Sequence, residues 1–297
     1  MNTELTILVY ISDACNFKCS YCYNRQPRSG NFIDIDILLN FLAQISEKTG
    51  RNIKLSLIGG EPSLHPKVSE LVTRSFNIKN VCSVDMYTNL SVARCDYAEL
   101  LSKNVKFSVS WHTETNDTTF VSFLNGLTGI NQANIIEIAM MYEFGNSDRW
   151  GNVIYTLKEK YKNVIVPWLL YKPSGVFQYS DDDIRNFSSI LIKNGFVDVK
   201  KHIGHKDIYK SIFDDFSAVY MDDYSGNECT AGVDTLYIHV NGNVYPCQNE
   251  FYYGDKPLYN IKDGFDVEKY TTVVCKCPFC RHGNFGVTIG NGEIHDR

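Results

Sequence analysis

The 297-residue sequence lacks the features that mark membrane, secreted and nucleic-acid-binding proteins. No apolar run approaches the roughly 18 residues that a membrane-spanning helix needs. The N-terminus also lacks the basic and apolar segments of a signal peptide. With 29 Lys+Arg against 34 Asp+Glu the formal net charge is −5, and no block of like charges forms a basic patch. We therefore expect a cytoplasmic protein that binds neither a membrane nor nucleic acid.

Cysteine, by contrast, is abundant, with ten residues in the chain. A chain of this length can bury a sizeable core without cross-links, and cytoplasmic thiols stay reduced. The cysteines are therefore predicted to be metal ligands or reactive groups rather than disulfide partners.

Strand-like and helical patterns alternate six times in the first two thirds of the chain. The predicted strands are Leu5–Ile11 and runs that start near Ile53, Val81, Val105, Asn134 and Val164. The predicted helices are Asp34–Thr49, Pro66–Phe76, Asp96–Lys103, Asn116–Leu124, Asp148–Tyr161 and Ser180–Asn194. This alternation predicts an α/β fold with a parallel sheet, either open or curled toward a barrel.

After about residue 200 the pattern changes, and the chain becomes rich in Gly, Asn, Tyr and Cys. We place a boundary there, which gives domains 1–200 and 201–297. Within the second domain, Leu236–Val240 and Val244–Cys247 flank an Asn-Gly-Asn sequence, which predicts a β-hairpin.

Three cysteines occur directly after the first predicted strand. Cys15, Cys19 and Cys22 have the spacing C-x3-C-x2-C. Parallel α/β folds place their sites at the carboxyl ends of strands, and three soft thiolates suit iron–sulfur or zinc. Three ligands leave one position open for a substrate or cofactor, although a zinc knuckle with a distant fourth ligand is an alternative.

A second motif, Gly59-Gly60-Glu61-Pro62, follows the second predicted strand. With the C-x3-C-x2-C loop, whose third Cys follows Tyr21, it makes the sequence resemble the radical S-adenosylmethionine superfamily. The resemblance covers roughly residues 1–200 and implies a partial (β/α)6 barrel. It also implies a [4Fe-4S] cluster with one open iron, which S-adenosylmethionine chelates before its reductive cleavage to a 5′-deoxyadenosyl radical.

The same resemblance implies roles for further residues. Gly59, Gly60 and Glu61 would form the edge that binds the methionine ammonium, and Tyr21 would line the adenine pocket. The positions where family members contact the ribose and carboxylate of the cofactor are occupied by Asn89, Ser110 and His112. Glu114, just beyond His112, is a candidate substrate contact, although each of these could equally be a satisfied polar group.

Four more cysteines occur in the second domain. Cys229 and Cys247 fit C-x12-G-x4-C, and Cys277 and Cys280 follow as C-x2-C. Spacing alone leaves a four-cysteine zinc site as a competitor. After a radical S-adenosylmethionine core, the segment resembles the twitch domain, the shortened form of the SPASM domain. That resemblance implies one auxiliary [4Fe-4S] cluster, since no cysteine follows Cys280.

Three cysteines remain. Cys82 in a strand and Cys95 at a helix start are predicted to be buried packing residues. Cys275, two residues before Cys277, has three interpretations: a bystander, a cluster ligand in place of Cys277, or a hydrogen-atom donor to a substrate radical.

The predicted function is that of a radical oxidoreductase or epimerase, reduced by flavodoxin or ferredoxin. Its substrate would be a small polar metabolite or a ribosomal peptide; since no extra segment precedes the first strand, the peptide is the less favoured of the two. A structural zinc protein with an interaction surface and an RNA-modifying radical enzyme are the alternatives, and the net charge of −5 disfavours the second.

Overall fold

The computed structural model describes residues 4–19, 22, 30–92, 95–112, 114–142, 147–161, 164–169, 181–195, 226–253, 256–276, 288–289 and 293–294. The main strands are β1 (Glu4–Ser12), β2 (Asn52–Gly59), β3 (Val81–Thr88), β4 (Lys106–Trp111), β5 (Ile135–Tyr142) and β6 (Ile165–Leu169). The shorter strands are β7 (Glu228–Cys229), β8 (Thr235–Ile238), β9 (Asn243–Tyr245), β10 (Tyr259–Asn260), β11 (Val273–Val274), β12 (Thr288–Ile289) and β13 (Glu293–Ile294). The helices are α1 (Ile35–Thr49), α2 (Val68–Ser75), α3 (Tyr97–Ser102), α4 (Asp117–Thr128), α5 (Ser147–Tyr161), α6 (Asp181–Lys193) and α7 (Gln248–Tyr253).

The first six strands pair in chain order and in parallel. A helix follows each of them, as right-handed βα crossovers require. The fold is therefore α/β with a parallel sheet, as the alternating sequence pattern predicts, and it is the partial (β/α)6 barrel that the family resemblance implies. None of the helices in the described part of the chain is long and apolar enough to cross a membrane.

The sheet has two faces of different character. On β1, Leu5, Ile7 and Val9 pack into the core that the helices cover. The intervening Leu8 and Tyr10 belong to a separate cluster on the opposite, concave face. Because successive side chains alternate across a strand, the residue after each helix-facing position points into the barrel.

The predicted α1 agrees with the structure at both ends. Asp34 is its N-cap, and the carboxylate accepts hydrogen bonds from the backbone N–H groups of Asp36 (2.9 Å) and Ile37 (3.2 Å). Gly50 ends the helix with φ +65°, a left-handed conformation that glycine adopts without strain. The local sequence therefore sets this helix directly.

Other helix bounds differ from the prediction by a few residues. The helix α2 starts at Val68 rather than Pro66, because Pro62–Leu64 forms a 3-10 turn and the His65 ring accepts the Lys67 backbone N–H at 3.1 Å. The helix α4 continues to Thr128, four residues beyond Leu124, from an Asn116 cap. Ser180, the first residue of the last predicted helix, lies outside the described residues.

The predicted hairpin is present as β8 and β9, with Gly242 at φ +85° in its turn. Its position was not predicted. β8 pairs in parallel with β1, from Thr6↔Thr235 to Val9↔Ile238. Nine of the described strands thus form one sheet, in the order β10-β9-β8-β1-β2-β3-β4-β5-β6. This sheet continues across the boundary placed near residue 200.

Of the two cysteines predicted to be buried packing residues, Cys95 is partly buried and Cys82 is not buried. Cys95 packs against the core, and burial raises the pKa of its thiol to about 12. Cys82 is exposed, so the prediction was wrong for it. It lies at the start of β3, between the helix-facing Val81 and Val84, where the β2–β3 register shifts.

Candidate functional site

The loop after β1 is attached to the end of β2 through backbone hydrogen bonds. The Gly60 N–H donates to the Ser12 carbonyl at 2.7 Å, and the Glu61 N–H donates to the Ala14 carbonyl at 2.8 Å. These bonds fix the chain immediately before Cys15. The two sequence motifs, which are separated by some forty residues of chain, therefore meet at one edge of the sheet.

This close approach explains why both positions are glycine. A Cβ on Gly59 would lie 2.4 Å from the Ser12 carbonyl oxygen, and a Cβ on Gly60 would lie 2.4 Å from the Ala14 carbonyl oxygen. Neither backbone atom can move without displacing the loop. Any larger residue would therefore separate the two strand ends.

The three cysteines of the loop are half-buried. The sulfur of Cys15 accepts the Phe17 backbone N–H at 3.4 Å, and a turn brings the Cys22 N–H to the Cys19 carbonyl at 3.1 Å. A backbone N–H aimed at a cysteine sulfur stabilises the thiolate that a cluster requires. The Phe17 donor therefore fits an iron–sulfur ligand at Cys15. Tyr21 lies outside the described residues.

The carboxylate of Glu61 is buried and does not face the open edge of the sheet. Its oxygens accept hydrogen bonds from the Ser63 backbone (3.1 Å) and hydroxyl (2.5 Å), from the Thr88 hydroxyl (2.6 Å) and from the Asn89 backbone (2.8 Å). Burial raises the pKa of Glu61, and these hydrogen bonds oppose the rise. The carboxylate thus joins the ends of β2 and β3, and a ligand would meet the glycine backbone instead.

The other candidates lie at the ends of β3 and β4. Asn89 is buried beside Glu61, and its side chain faces the cysteine loop. Ser110 is half-buried on the concave side of β4. His112 contacts Phe17 edge-on at 5.7 Å, so it also lies against the loop, and Glu114 is exposed.

The ring of His112 is neutral at physiological pH. Burial lowers its pKa to about 4, and the Glu114 carboxylate partly opposes that shift. A neutral imidazole has one nitrogen that accepts a hydrogen bond and one that donates. A neutral imidazole of this kind can form a hydrogen bond with a hydroxyl group.

Two further polar side chains lie at this edge, Asn16 and Ser91, and neither was predicted from the sequence to be a site residue. Both contact Asn89. The Asn89-x-Ser91 spacing after β3 was a signal, since such polar side chains commonly bond within a turn. Asn16, in the cysteine loop, and Ser91 are 75 residues apart in sequence, so no local pattern reveals that they are bonded to each other.

The second group of cysteines lies on the far side of β1. Cys229 and Cys247 are buried and pack together with Ala231, and Cys275 packs against them. The Cys229 sulfur accepts the Ala231 N–H at 3.4 Å, and the Cys247 sulfur accepts the Glu250 N–H at 3.5 Å. These donors again fit thiolate ligands. Cys277 and Cys280 lie outside the described residues.

Cys275 has a defined place in this group. Its backbone extends the β7–β11 pairing, with the Cys275 N–H on the Asn227 carbonyl at 2.8 Å. Since Val273 is paired with Cys229, alternation puts Cys275 on the same face as Cys229.

Within the described part of the chain, no three Cys, His, Asp or Glu side chains converge closely enough to hold a single metal ion.

An aromatic stack lies between the two groups. His239, directly after β8, is stacked between Tyr10 (5.4 Å between ring centroids) and Phe251 of α7 (4.5 Å). Tyr10 is five residues before Cys15, and Phe251 is four residues after Cys247. The stack therefore packs the hairpin and α7 onto the strand that carries the first cysteine loop.

A family model described as Radical SAM superfamily matches residues 9–160, slightly more than half of the chain. A GTP 3′,8-cyclase of Shewanella denitrificans is 34% identical over 85 residues, which are 27% of this chain and 24% of that protein. The match thus spans about a quarter of the length of this curated relative.

Solved structures share the fold over most of the chain. The structure of polyhistidine-tagged anSMEcpe with bound AdoMet gives a TM-score of 0.63 at 18% identity, over 90% of this chain and 80% of that chain. Streptococcus suis SuiB bound to S-adenosylmethionine gives 0.60 at 16% identity, over 90% and 65% of the two chains. At these identities the likeness shows the fold alone.

Proposed function

The chain belongs to the radical SAM superfamily, and on that premise we propose that it is an enzyme that functionalises an unreactive C–H bond. Membership implies S-adenosylmethionine and a catalytic [4Fe-4S] cluster, which we assign to Cys15, Cys19 and Cys22. With both groups bound, reductive cleavage of the sulfonium supplies a 5′-deoxyadenosyl radical that abstracts hydrogen from substrate. The observation that carries the proposal is the cysteine loop bonded directly to Gly60 and Glu61.

The residues at this edge divide the binding of the cofactor among them. The backbone carbonyls of Gly59 and Gly60 would accept hydrogen bonds from the methionine ammonium group, and the buried Glu61 would hold this edge in place. Asn89, Ser110 and His112 would bind the ribose and carboxylate. Tyr21 would line the adenine pocket, and the exposed Glu114 would meet substrate.

We assign residues 201–297 to a twitch domain with one auxiliary [4Fe-4S] cluster, bound by Cys229, Cys247, Cys277 and Cys280. Supporting this, Cys229 at the end of β7 and Cys247 just before α7 pack together, and each sulfur accepts a hydrogen bond from a backbone N–H. We assign residues 1–200 to the catalytic barrel.

The proposed reaction is an oxidation or an epimerisation. Oxidation would follow if the substrate radical lost a proton to solvent and passed its electron to the auxiliary cluster, whereas return of a hydrogen atom to its other face would give epimerisation. The substrate is a small polar metabolite or a ribosomal peptide. In support of a peptide, SuiB, which shares the fold, is described as bound to precursor peptide SuiA. Flavodoxin or ferredoxin would supply the reducing electron.

Cys275 is the proposed hydrogen-atom donor for an epimerisation. Its S–H bond would break as the substrate C–H bond forms, and the thiyl would be restored by an electron from the reducing partner and a solvent proton. Its packing against Cys229 and Cys247 also suits a cluster ligand. Cys275→Ala separates the roles: unchanged iron with loss of solvent deuterium from product indicates a donor, and loss of auxiliary iron indicates a ligand.

The class is tested with anaerobically reconstituted protein, S-adenosylmethionine and dithionite. We expect 5′-deoxyadenosine from the wild type and none from the variant with Cys15, Cys19 and Cys22 all replaced by Ala. A wild type that binds zinc without iron, or that forms no 5′-deoxyadenosine with a full iron complement, contradicts the proposal.

A further inference from the structure

We propose that Asn16 and Ser91 are positioning residues for the catalytic cysteine loop. Together with Asn89 they form a closed ring of side-chain hydrogen bonds that joins the middle of the loop to the end of β3. The inference rests on the proposed function, since it takes Cys15 and Cys19, on either side of Asn16, as cluster ligands.

The ring is closed by three side-chain bonds. Asn16 Nδ2 donates to Ser91 Oγ at 2.7 Å, Ser91 Oγ donates to Asn89 Oδ1 at 2.6 Å, and Asn89 Nδ2 donates to Asn16 Oδ1 at 3.0 Å. The Ser91 backbone N–H adds a fourth bond to Asn89 Oδ1 at 3.0 Å. Each side chain both donates and accepts, so removing any one member opens the ring and breaks two of its three side-chain bonds.

The β3 end of the ring is rigid. The Asn89 backbone N–H is bonded to the buried Glu61 carboxylate, and the Thr88 hydroxyl bonds that carboxylate and accepts the Leu90 N–H at 3.1 Å. Leu90 is buried with φ +54°, and this left-handed turn returns the chain so that Ser91 faces Asn89. Gly126 of α4 makes room, since a Cβ there would lie 2.8 Å from the Leu90 carbonyl oxygen.

The loop end, by contrast, is exposed. Asn16 lies on the surface, yet both ends of its amide are bonded within the ring. The backbone bonds to Gly60 and Glu61 hold the loop only up to Ala14. The ring therefore fixes the chain between Cys15 and Cys19, and with it the position of the cluster relative to the glycine edge.

This geometry separates the assembly of the cluster from its alignment. None of the ring side chains is a thiol, so opening the ring removes no cluster ligand. What would change is the position of Cys15 and Cys19 relative to the glycine edge. Opening the ring should therefore leave iron content intact and reduce the rate of cofactor cleavage, because small misplacements at a reacting centre are costly.

The test uses the full-length reconstituted protein with a set of single variants and one double variant. Asn16→Ala and Ser91→Ala each open the ring, whereas Ser91→Thr keeps the hydroxyl. Asn152→Ala on the surface of α5 and Ser102→Ala at the exposed end of α3 are matched controls. Iron per chain, the electron paramagnetic resonance spectrum of the reduced protein with and without S-adenosylmethionine, and 5′-deoxyadenosine formation are measured for each.

We expect both ring-opening variants to keep wild-type iron and to form 5′-deoxyadenosine about tenfold more slowly, which is the order of effect expected when the two side-chain hydrogen bonds of the removed group are lost. The spectral change on adding S-adenosylmethionine should differ from wild type in both. Ser91→Thr and the controls should stay within about twofold. The Asn16→Ala/Ser91→Ala double variant should match the single variants, since residues in one network do not add.

Wild-type rates and spectra in both ring-opening variants would overturn the inference, as would a double variant that loses about a hundredfold by simple addition. Loss of iron in Ser91→Thr as well as Ser91→Ala would also overturn it, since the conservative change keeps the ring. A wild type without iron or 5′-deoxyadenosine contradicts the proposed function instead, so the two failures are distinguishable.

Discussion

Gly59 and Gly60, at the end of β2, lack a Cβ atom, and this absence shapes the candidate site. At Gly60 a Cβ would lie 2.4 Å from the Ala14 carbonyl oxygen, so Gly60→Ala must push the cysteine loop away from the strand. A displacement of about 1 Å at a reacting centre can cost roughly 100-fold in rate. We expect a loss of that order in 5′-deoxyadenosine formation, measured on protein with its full iron content.

The matched control is Gly151→Ala in α5, where the nearest atom to the added Cβ, Ile190 Cγ2, is 3.6 Å away. Alanine is a better helix former than glycine by about 1 kcal/mol, so this variant should be active and slightly more stable. Equal activity of the two variants would show that the glycine edge does not position the loop.

At this scale the motif residues could be predicted from sequence, but their side-chain partners could not. Gly59 and Gly60 were predicted as part of a cofactor-binding edge, but their close contact with the backbone carbonyls of Ser12 and Ala14 was not predicted. The buried Glu61 carboxylate was not predicted, because its donors Thr88 and Asn89 come from the next strand. Local spacing carries no information on such pairs.

Among the elements, the hairpin β8–β9 depends on the stack of His239 between Tyr10 and Phe251. Burial lowers the pKa of His239, and the hydrogen bond of the ring to the Asn241 side chain and the charge of Asp13 partly oppose this. The folded protein therefore favours the neutral ring. The stability that depends on it is present above the ordinary histidine pKa and is lost as pH falls through the lowered value.

We therefore expect the melting temperature of wild type to fall more between pH 7.5 and pH 5.5 than that of His239→Phe, which keeps an aromatic ring in the stack but cannot be protonated. The other histidines in the part of the chain that the structure describes, His65 and His112, are the same in both proteins and cancel in the comparison. Parallel pH profiles for the two proteins would rule out His239 as the source of acid sensitivity.

The hairpin also shows what a sequence pattern can and cannot specify. Its turn was predicted from Asn241-Gly242-Asn243, since that turn chemistry is local. Its pairing with β1 was not, although a signal existed: β1 is buried at every position from Leu5 to Ser12. A strand that is apolar on both faces is typical of the interior of a sheet, with a neighbour on each side. The identity of that neighbour still depends on contacts more than 200 residues apart in sequence.

At the scale of the whole molecule, Arg51 connects the first strand with the C-terminal part of the chain. Its guanidinium forms an ion pair with Asp234 at 2.7 Å, donates to the Tyr270 hydroxyl at 2.6 Å, and bonds the carbonyls of Glu4 and Val233. The Asp234 side chain is only 8% exposed. Removing the arginine would leave a buried carboxylate without its counter-charge.

Arg51→Ala should accordingly lower the free energy of unfolding by about 3 kcal/mol, as breaking a buried ion pair does. Arg74→Ala is the control, because Arg74 is also bonded to two carboxylates, Asp36 and Glu70, but all three side chains are well exposed. Exposed pairs contribute little, so its effect should be much smaller. Chemical denaturation of the two variants side by side would refute the assignment if they were equally stable.

The measurement that tests the central claim most directly is the iron and sulfide content of the anaerobically reconstituted chain. Two [4Fe-4S] clusters predict about eight iron atoms per chain in the wild type and about four in the variant with Cys15, Cys19 and Cys22 replaced by Ala. About four iron atoms in the wild type, falling to none in that variant, would contradict the auxiliary cluster. Zinc in place of iron in both would contradict the account as a whole.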